Sequence, residues 1–370
     1  MAKKRNNGEG SITYDKSRKS YRVAVTTPNG DRLYKRFKDE GDAIAWKTDQ
    51  LHSMQKGTFV APNNMTVGEW TIKWLTTYKK DTVKQRTYER YTSLANHFKT
   101  ISTIKLQELK PLQVQELYQQ LALSACTIIK VHNLLKDMYN KAFELELIQK
   151  NIMTVVKPPK YEPKEIEIFT PEEIQQILKV CSSHGKLKKY YPAVLLGVVT
   201  GARLGEILGL RWMDIKLATS EIHIRKSLQK SHTLGLFLET PKTKASISKI
   251  AIPFEAVEAL KKLKAKTKNL DLKQEKLAFV TRNDTPVAPR NFERAWEDIL
   301  RNANIAYKKF HTLRHTHATE LLSKGIPLSD VAKRLGHSKQ SHTLELYSHA
   351  MPQNDELIMG TIQKLYLVPK

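Results

Sequence analysis

Two short alternating stretches open the pattern of the chain. Residues 20–26 (SYRVAVT) and 31–37 (DRLYKRF) switch between apolar and polar at nearly every step, the period of a half-buried strand. Between them, Thr27-Pro28-Asn29-Gly30 contains an Asn-Gly step that favours a tight turn, so a β-hairpin is predicted. Period two sets Arg32, Tyr34 and Arg36 on one face and Leu33 and Phe37 on the other. Ser11 to Tyr14 is a candidate third strand. A helix from about Asp42 to Gln55, with Ile44 and Leu51 one heptad apart, is expected to cover the apolar face.

After Ala61-Pro62-Asn63-Asn64 the alternation stops. Residues 65–151 carry helical spacing alone, with Leu134, Met138, Ala142 and Phe143 as candidate core. Pro158, Pro159 and Pro163 break the chain again. Thr170-Pro171-Glu172-Glu173 then opens a helix with an N-cap threonine, a proline at the first position and a capping glutamate. From there the pattern is mixed. Within Thr200 to Trp212 (TGARLGEILGLRW), Leu204, Ile207, Leu208 and Arg211 share one helical stripe, while Arg203 and Glu206 are neighbours on another side. Leu328, Val331, Ala332 and Leu335 trace a further helix that Gly336 ends in the left-handed conformation, presenting His337 at its terminus. A multidomain α+β chain is expected: a small three-stranded sheet with a helix (1–60), an all-α domain (65–157) and a mixed, mainly helical domain (165–370).

Composition changes the picture by pointing to a partner. A formal charge of +25, from 62 basic against 37 acidic residues, suits a polyanion far better than a small neutral ligand. The excess is shared by all three segments, so each can touch phosphate. In the first, Arg22, Arg32, Tyr34 and Arg36 fit a ribbon entering the DNA major groove; a solvated structural sheet fits equally. In the second, Lys79, Lys80, Lys84, Arg86 and Arg90 lie among Tyr78, Tyr88 and Tyr91, as for backbone-phosphate contact, with a plain basic face as the alternative. Two cysteines without ligand spacing argue against a disulfide framework or a zinc site and for a reducing compartment. No stretch reads as a signal peptide or a membrane span, so a cytoplasmic protein is expected. A Gly-rich phosphate loop is also missing, which removes ATP-driven chemistry.

Candidate chemistry gathers near the end. In HTLRHTHATELL (His311 to Leu322), His311 and Arg314 are three apart and can face one anionic group. His311 and His315, four apart, also suit a metal, yet the glutamate of HExxH and a third ligand are missing. Tyr347 follows His337 by ten residues, in TLELYSHA. Taken alone it reads as a tyrosine on a helix face.

The ordered blocks TGARLGEILGLRW, PKTKAS, HTLRHTHAT, LGHS and YSH resemble the tyrosine recombinase or phage integrase family. The resemblance implies that Arg203 and Arg314 grip a scissile DNA phosphate, that His311 and His337 donate to its oxygens, and that Tyr347 attacks phosphorus. Lys242 would protonate the leaving 5′ oxygen, although Lys244 and Lys249 share its segment, and Glu206 would orient Arg203. LGH at 335–337 fits the family histidine better than His342 or His349. The three domains would then be arm-binding, core-binding and catalytic. The expected activity is site-specific recombination through a 3′-phosphotyrosine and a Holliday junction, integrating and excising a mobile element without a cofactor. Implied partners are double-stranded DNA at core and arm sites, further copies forming a tetramer on DNA, an excisionase and a host DNA-bending protein. The apolar positions Leu357, Ile358, Ile362 and Leu365 after Tyr347 can dock on a neighbouring copy or on their own domain. A non-enzymatic DNA-binding regulator leaves Tyr347 and Arg203 unexplained, and a type IB topoisomerase would not need the hairpin module.

Overall fold

The computed structural model describes residues 10–162, 167–240, 248–266, 276–336 and 340–347, with the backbone alone at His342 and Glu345. The chain divides into two compact units, Met1–Glu162 and Pro163–Lys370. Lys242, Lys244, His337, His349 and the tail after residue 350 lie outside the described residues.

The first unit begins with an antiparallel sheet in the order β1 (Ser11–Asp15), β2 (Ser20–Thr26), β3 (Arg32–Phe37). The predicted hairpin is present, with Thr26 opposite Arg32 and Arg22 opposite Arg36. Gly30 has φ of 89°, a conformation open to glycine, and Thr27 N–H donates to the Asp31 carbonyl at 2.7 Å to close the loop. Val23 and Val25 face α1 (Glu40–Gln55) and are buried with Ala43, flanked by Phe37, Trp46, Leu51 and Met54. Ile44, expected in this core, is 48% exposed. The helix starts earlier than expected, at Glu40 behind the N-cap Asp39, and its covering stripe runs Ala43, Trp46, Met54. One residue further, at 100° per step, Ile44 is turned outward.

Segment 61–64 is tied to the helices that follow. Gln107 Nε2 donates to the Ala61 carbonyl at 3.0 Å, and Asn63 N–H donates back to Gln107 Oε1 at 3.3 Å. Next come α2 (Val67–Trp74), a π-helical turn at Leu75–Lys79, α3 (Gln85–Ala95), α4 (Pro111–Gln120) and α5 (Ala125–Glu144). Trp70, Trp74, Leu135, Met138 and Tyr139 form the centre of this helical core, and Trp70 Nε1 donates to the Met138 carbonyl at 3.2 Å. The indole therefore buries its ring without orphaning its N–H. Leu134, Met138 and Ala142 are buried as predicted, whereas Phe143 is 50% exposed because it lies one step past the i, i+4, i+8 row.

Near the start of the second unit, the Phe169 ring is buried against Trp296. Its elements are α6 (Pro171–Ser183), α7 (Tyr191–Thr200), α8 (Leu204–Leu208), β4 (Ile215–Lys216), β5 (Glu221–Ile224), β6 (Ser227–Ser231), β7 (Gly235–Glu239), β8 (Ser248–Ala251), α9 (Phe254–Ala265), α10 (Pro289–Asn302), α11 (Thr312–Ser323), α12 (Leu328–Leu335) and α13 (Gln340–Tyr347). The strands make a sheet in the order β4-β5-β8 and a separate hairpin β6-β7. Helix α8 is shorter than its stripe suggested. A Cβ at Gly209 would come within 2.8 Å of the Leu228 backbone nitrogen, so the chain turns where β6 passes. Arg211 consequently lies off the helix and is buried, with Nε donating to Asp214 Oδ2 at 2.7 Å. A second, smaller core of Ala318, Leu322, Val331 and Leu335 closes around Tyr347. No described helix is long and apolar enough to cross a membrane.

Candidate active site

Arg203 is the N-cap residue of α8 and is exposed. Glu206 bonds it twice: one carboxylate oxygen accepts the Arg203 backbone N–H at 2.8 Å and the other accepts the guanidinium Nη1 at 2.7 Å. The same carboxylate that satisfies an orphan helix amide thus sets the direction of the arginine. The pairing read from the i, i+3 spacing is present.

Arg314, on α11, is only 3% exposed. Its guanidinium donates to the Gly201 carbonyl at 3.0 Å and to the Leu335 carbonyl at 2.7 Å, so it ties α11 to the ends of α7 and α12. Gly201 is the left-handed residue that stops α7, with φ of 63°, and a Cβ there would meet His317 and Leu335 each at 2.9 Å. Burial first, then the charge of Arg203, lowers the Arg314 pKa to about 10, against the opposing pull of Glu206 and Tyr347. Arg314 is still a cation at neutral pH. A partly dehydrated cation attracts an anion more strongly than one in water.

His311 precedes α11 as its N-cap and is exposed. Its ring lies edge-on to that of His315, centroids 4.9 Å apart. His315 Nδ1 in turn lies 2.7 Å from the Tyr347 hydroxyl. Tyr347, at the C-terminal end of α13, is 1% exposed. Burial raises the phenol pKa, and the positive charges of Arg314 and Arg203 pull it back down. Arg203, Glu206, His311, Arg314 and Tyr347 are therefore gathered in one neighbourhood. Lys242 and His337 are not among the described residues. Among those that are, no three His, Cys, Asp or Glu side chains converge as metal ligands.

Three features of the site were not read from the sequence as functional. His315 entered only as half of a metal pair; its position directly after Arg314 was the available signal. His317 Nδ1 lies 3.0 Å from the Val198 carbonyl and its Nε2 accepts from Arg334 Nε at 3.1 Å, while Arg334 also reaches the Val199 and Ala251 carbonyls at 2.8 and 3.3 Å. This bracket joins α7, α11, α12 and β8 behind Arg314. Lys308 Nζ donates to the Ile168 carbonyl and to Glu173, at 3.0 and 2.8 Å, three residues before His311. Nothing in the local sequence signals either bracket, because their partners lie 17 to 140 residues apart.

The candidate DNA-contacting residues divide. Arg22, Arg32, Tyr34 and Arg36 are all exposed, with Arg22 stacked 4.3 Å above the Tyr34 ring and Arg36 paired with Asp15 at 3.2 Å. Lys80, Arg86 and Arg90 are exposed and Lys84 is half-buried. Lys79 differs from the expected open basic cluster: its ammonium lies over the Trp74 ring and pairs with Asp137 at 2.7 Å. The π-helical turn widens the backbone there and turns Lys79 back toward α5.

The fold of the second unit, with two arginines, two histidines and a buried tyrosine drawn together, defines the class of DNA breaking-and-rejoining enzymes that the sequence blocks resemble. The chain belongs to the phage integrase family: the family model matches residues 167–354, and the phage integrase N-terminal SAM-like domain matches residues 66–122. It is a tyrosine recombinase. A tyrosine recombinase XerC-like protein of Caldanaerobacter subterraneus subsp. tengcongensis is 31% identical, with 99% of this chain and 100% of the relative covered. A putative prophage phiRv2 integrase of Mycobacterium tuberculosis is 28% identical over 93% of this chain and 92% of its own. Among solved structures, the Tn1549 transposon integrase in complex with a circular intermediate DNA has a TM-score of 0.70 at 22% identity, covering 80% of this chain and 99% of that one. A lambda integrase tetramer bound to a Holliday junction has a TM-score of 0.59 at 18% identity, covering 95% and 99%.

Proposed function

We propose that this recombinase is the integrase of a mobile element, inserting and excising it through a 3′-phosphotyrosine on Tyr347 and a Holliday junction. The observation that carries the assignment is the Tyr347 hydroxyl itself, bonded to His315 and within the field of Arg314 and Arg203. Charge that develops on the nonbridging oxygens of a phosphodiester is stabilised by fixed guanidinium and imidazole donors. Arg203, directed by Glu206, and Arg314, held by two carbonyls, supply the guanidiniums; His311 and His337 supply the imidazoles. Lys242 protonates the leaving 5′ oxygen. The phosphotyrosine conserves the energy of the broken bond, so the 5′ hydroxyl of a partner strand reverses the attack without ATP.

Three modules divide the work in this reading. Residues 1–60 read arm sites through Arg22, Arg32, Tyr34 and Arg36. Residues 65–157 grip the core site with Lys80, Lys84, Arg86 and Arg90, and residues 165–370 perform the chemistry. The protein binds DNA and self-associates on it, as a tetramer during exchange. An excisionase and a host DNA-bending protein set direction, and the reaction takes place on DNA in the cytoplasm. The Tn1549 transposon integrase in complex with a circular intermediate DNA and the lambda integrase tetramer bound to a Holliday junction support DNA and tetramer as partners by analogy.

The test is covalent trapping on a nicked duplex carrying the core site, identified by sequencing the junctions of the excised element. Wild type forms a protein-DNA adduct that survives denaturation. Tyr347→Phe forms none, and Arg314→Ala and Arg203→Ala form it at least about a hundredfold more slowly, the size expected for removing one oxyanion donor. An undiminished adduct with Tyr347→Phe refutes the nucleophile.

A further inference from the structure

We propose that His315 is the proton acceptor for the Tyr347 hydroxyl during strand cleavage. The inference rests on the reading of Tyr347 as nucleophile and adds the group that activates it. A phenol of ordinary pKa about 10 is protonated at neutral pH and must lose its proton as it attacks. The acceptor has to lie within hydrogen-bond reach of that oxygen, and His315 Nδ1 is 2.7 Å away.

Several constraints single out this imidazole. His315 is half-buried on α11 next to Arg314, whereas His311 is exposed at the helix N-cap. The two rings meet edge to face at 4.9 Å, so His311 can serve the phosphate while His315 serves the tyrosine. Among the described residues, the charged and titratable groups around the pair are His311 and Arg314 from α11, Arg203 and Glu206 from the start of α8, and Tyr347 itself from α13. Val331 and Leu335 of α12 pack apolar side chains into the core around Tyr347, and the Leu335 carbonyl accepts from Arg314. Burial and the adjacent Arg314 lower the His315 pKa below its usual 6.5, which keeps the imidazole neutral and its lone pair free to accept. The phenol, neutral through burial, is then the donor of the shared hydrogen bond.

The step balances without a co-reactant. As the Tyr347 Oη–P bond forms and the P–O5′ bond breaks, the phenol proton passes to His315 Nδ1. The departing 5′ oxygen takes a separate proton from the general acid assigned to Lys242. On rejoining, the 5′ hydroxyl attacks phosphorus and gives its proton back to the general acid assigned to Lys242, while the Tyr347 oxygen leaves and takes its proton back from the His315 imidazolium.

The experiment is single-turnover adduct formation by the full chain on the nicked core duplex between about pH 5 and pH 9, in the proton-transfer regime. Three proteins are compared: wild type, His315→Ala and His315→Asn. Asparagine sets an acceptor oxygen close to where Nδ1 lies but cannot carry a proton, so it preserves placement and removes the chemistry. Wild-type rate is expected to fall as pH drops through the lowered His315 pKa. Both variants are expected to be slower by about a hundredfold or more at pH 7, with rates that climb with pH, and added imidazole should recover part of the loss in His315→Ala. A purely positioning role predicts full activity in His315→Asn and no imidazole effect; that result overturns the proposal. Should both variants lose DNA binding, wild type decides on a duplex with a 5′-bridging sulfur at the scissile position, whose leaving group needs no acid. An inflection on the acid side of pH 6.5 supports the proposal, and a flat profile there overturns it. Adduct formation by Tyr347→Phe instead defeats the underlying nucleophile assignment.

Discussion

At the scale of single residues the site depends on groups that brace the reactive ones. Gly201 is one. Its positive φ and the 2.9 Å approach of His317 and Leu335 leave no room for a side chain, and its carbonyl is one of the two that hold Arg314. Gly201→Ala should therefore destabilise the second unit by about 1–3 kcal/mol, the usual cost of a strained backbone position. Thermal melting reads that loss, and adduct formation should fall further than stability because Arg314 is displaced. His317 is another brace. Burial first, then Arg334, lowers its pKa to about 4, whereas in the unfolded chain it titrates near 6.5. As pH falls between those values the unfolded state takes up the proton and the folded state does not, so stability present above pH 6.5 is lost progressively down to about 4. Denaturant midpoints measured across that range should decline in wild type and flatten in His317→Asn; equal slopes would remove His317 from the account.

At the scale of elements, each predicted helix and strand formed where apolar spacing and end signals agreed. The Thr170 capping box and the Gly336 stop mark the limits of α6 and α12 as read. Errors came from continuing a pattern past a point where a neighbour intervenes. Arg211 left its stripe because β6 crosses at Gly209, and Ile44 and Phe143 faced outward because a stripe only about 100° wide excludes the next residue along. A direct consequence concerns α5. Met138→Ala removes a fully buried side chain beside Trp70 and should cost about 2–5 kcal/mol, while Phe143→Ala on the same helix should cost under about 1 kcal/mol. Urea denaturation of the two variants separates them, and similar losses would contradict the phase of the helix.

At the scale of the whole molecule, the charge of +25 acts through exposed cations and is diminished where they are paired. Arg22 and Arg32 are exposed on the outer face of the N-terminal sheet, while Lys79 is paired with Asp137 over Trp74. Arg22→Ala and Arg32→Ala should each reduce the salt dependence of arm-site binding by about one unit of log-log slope, as for loss of one phosphate contact. Lys79→Ala should leave core-site binding and its salt slope close to wild type. A titration series from low to moderate salt checks both, and a full unit lost with Lys79→Ala would return that lysine to the DNA-contacting set.

By itself the sequence determined the N-terminal hairpin and its helix, the all-helical middle segment, the start of α6 and the end of α12, the basic charge and the family, since spacing, capping residues and five ordered motifs are local properties of the chain. The i, i+3 pairing of Arg203 with Glu206 was legible for the same reason. Only the tertiary structure decided what surrounds the tyrosine: the burial of Tyr347 among Ala318, Leu322, Val331 and Leu335, its bond to His315, and the carbonyls of Gly201 and Leu335 that hold Arg314. The hydrogen bonds among them join residues 21 to 113 positions apart, across helices whose relative placement is set by side-chain packing. No local periodicity encodes them.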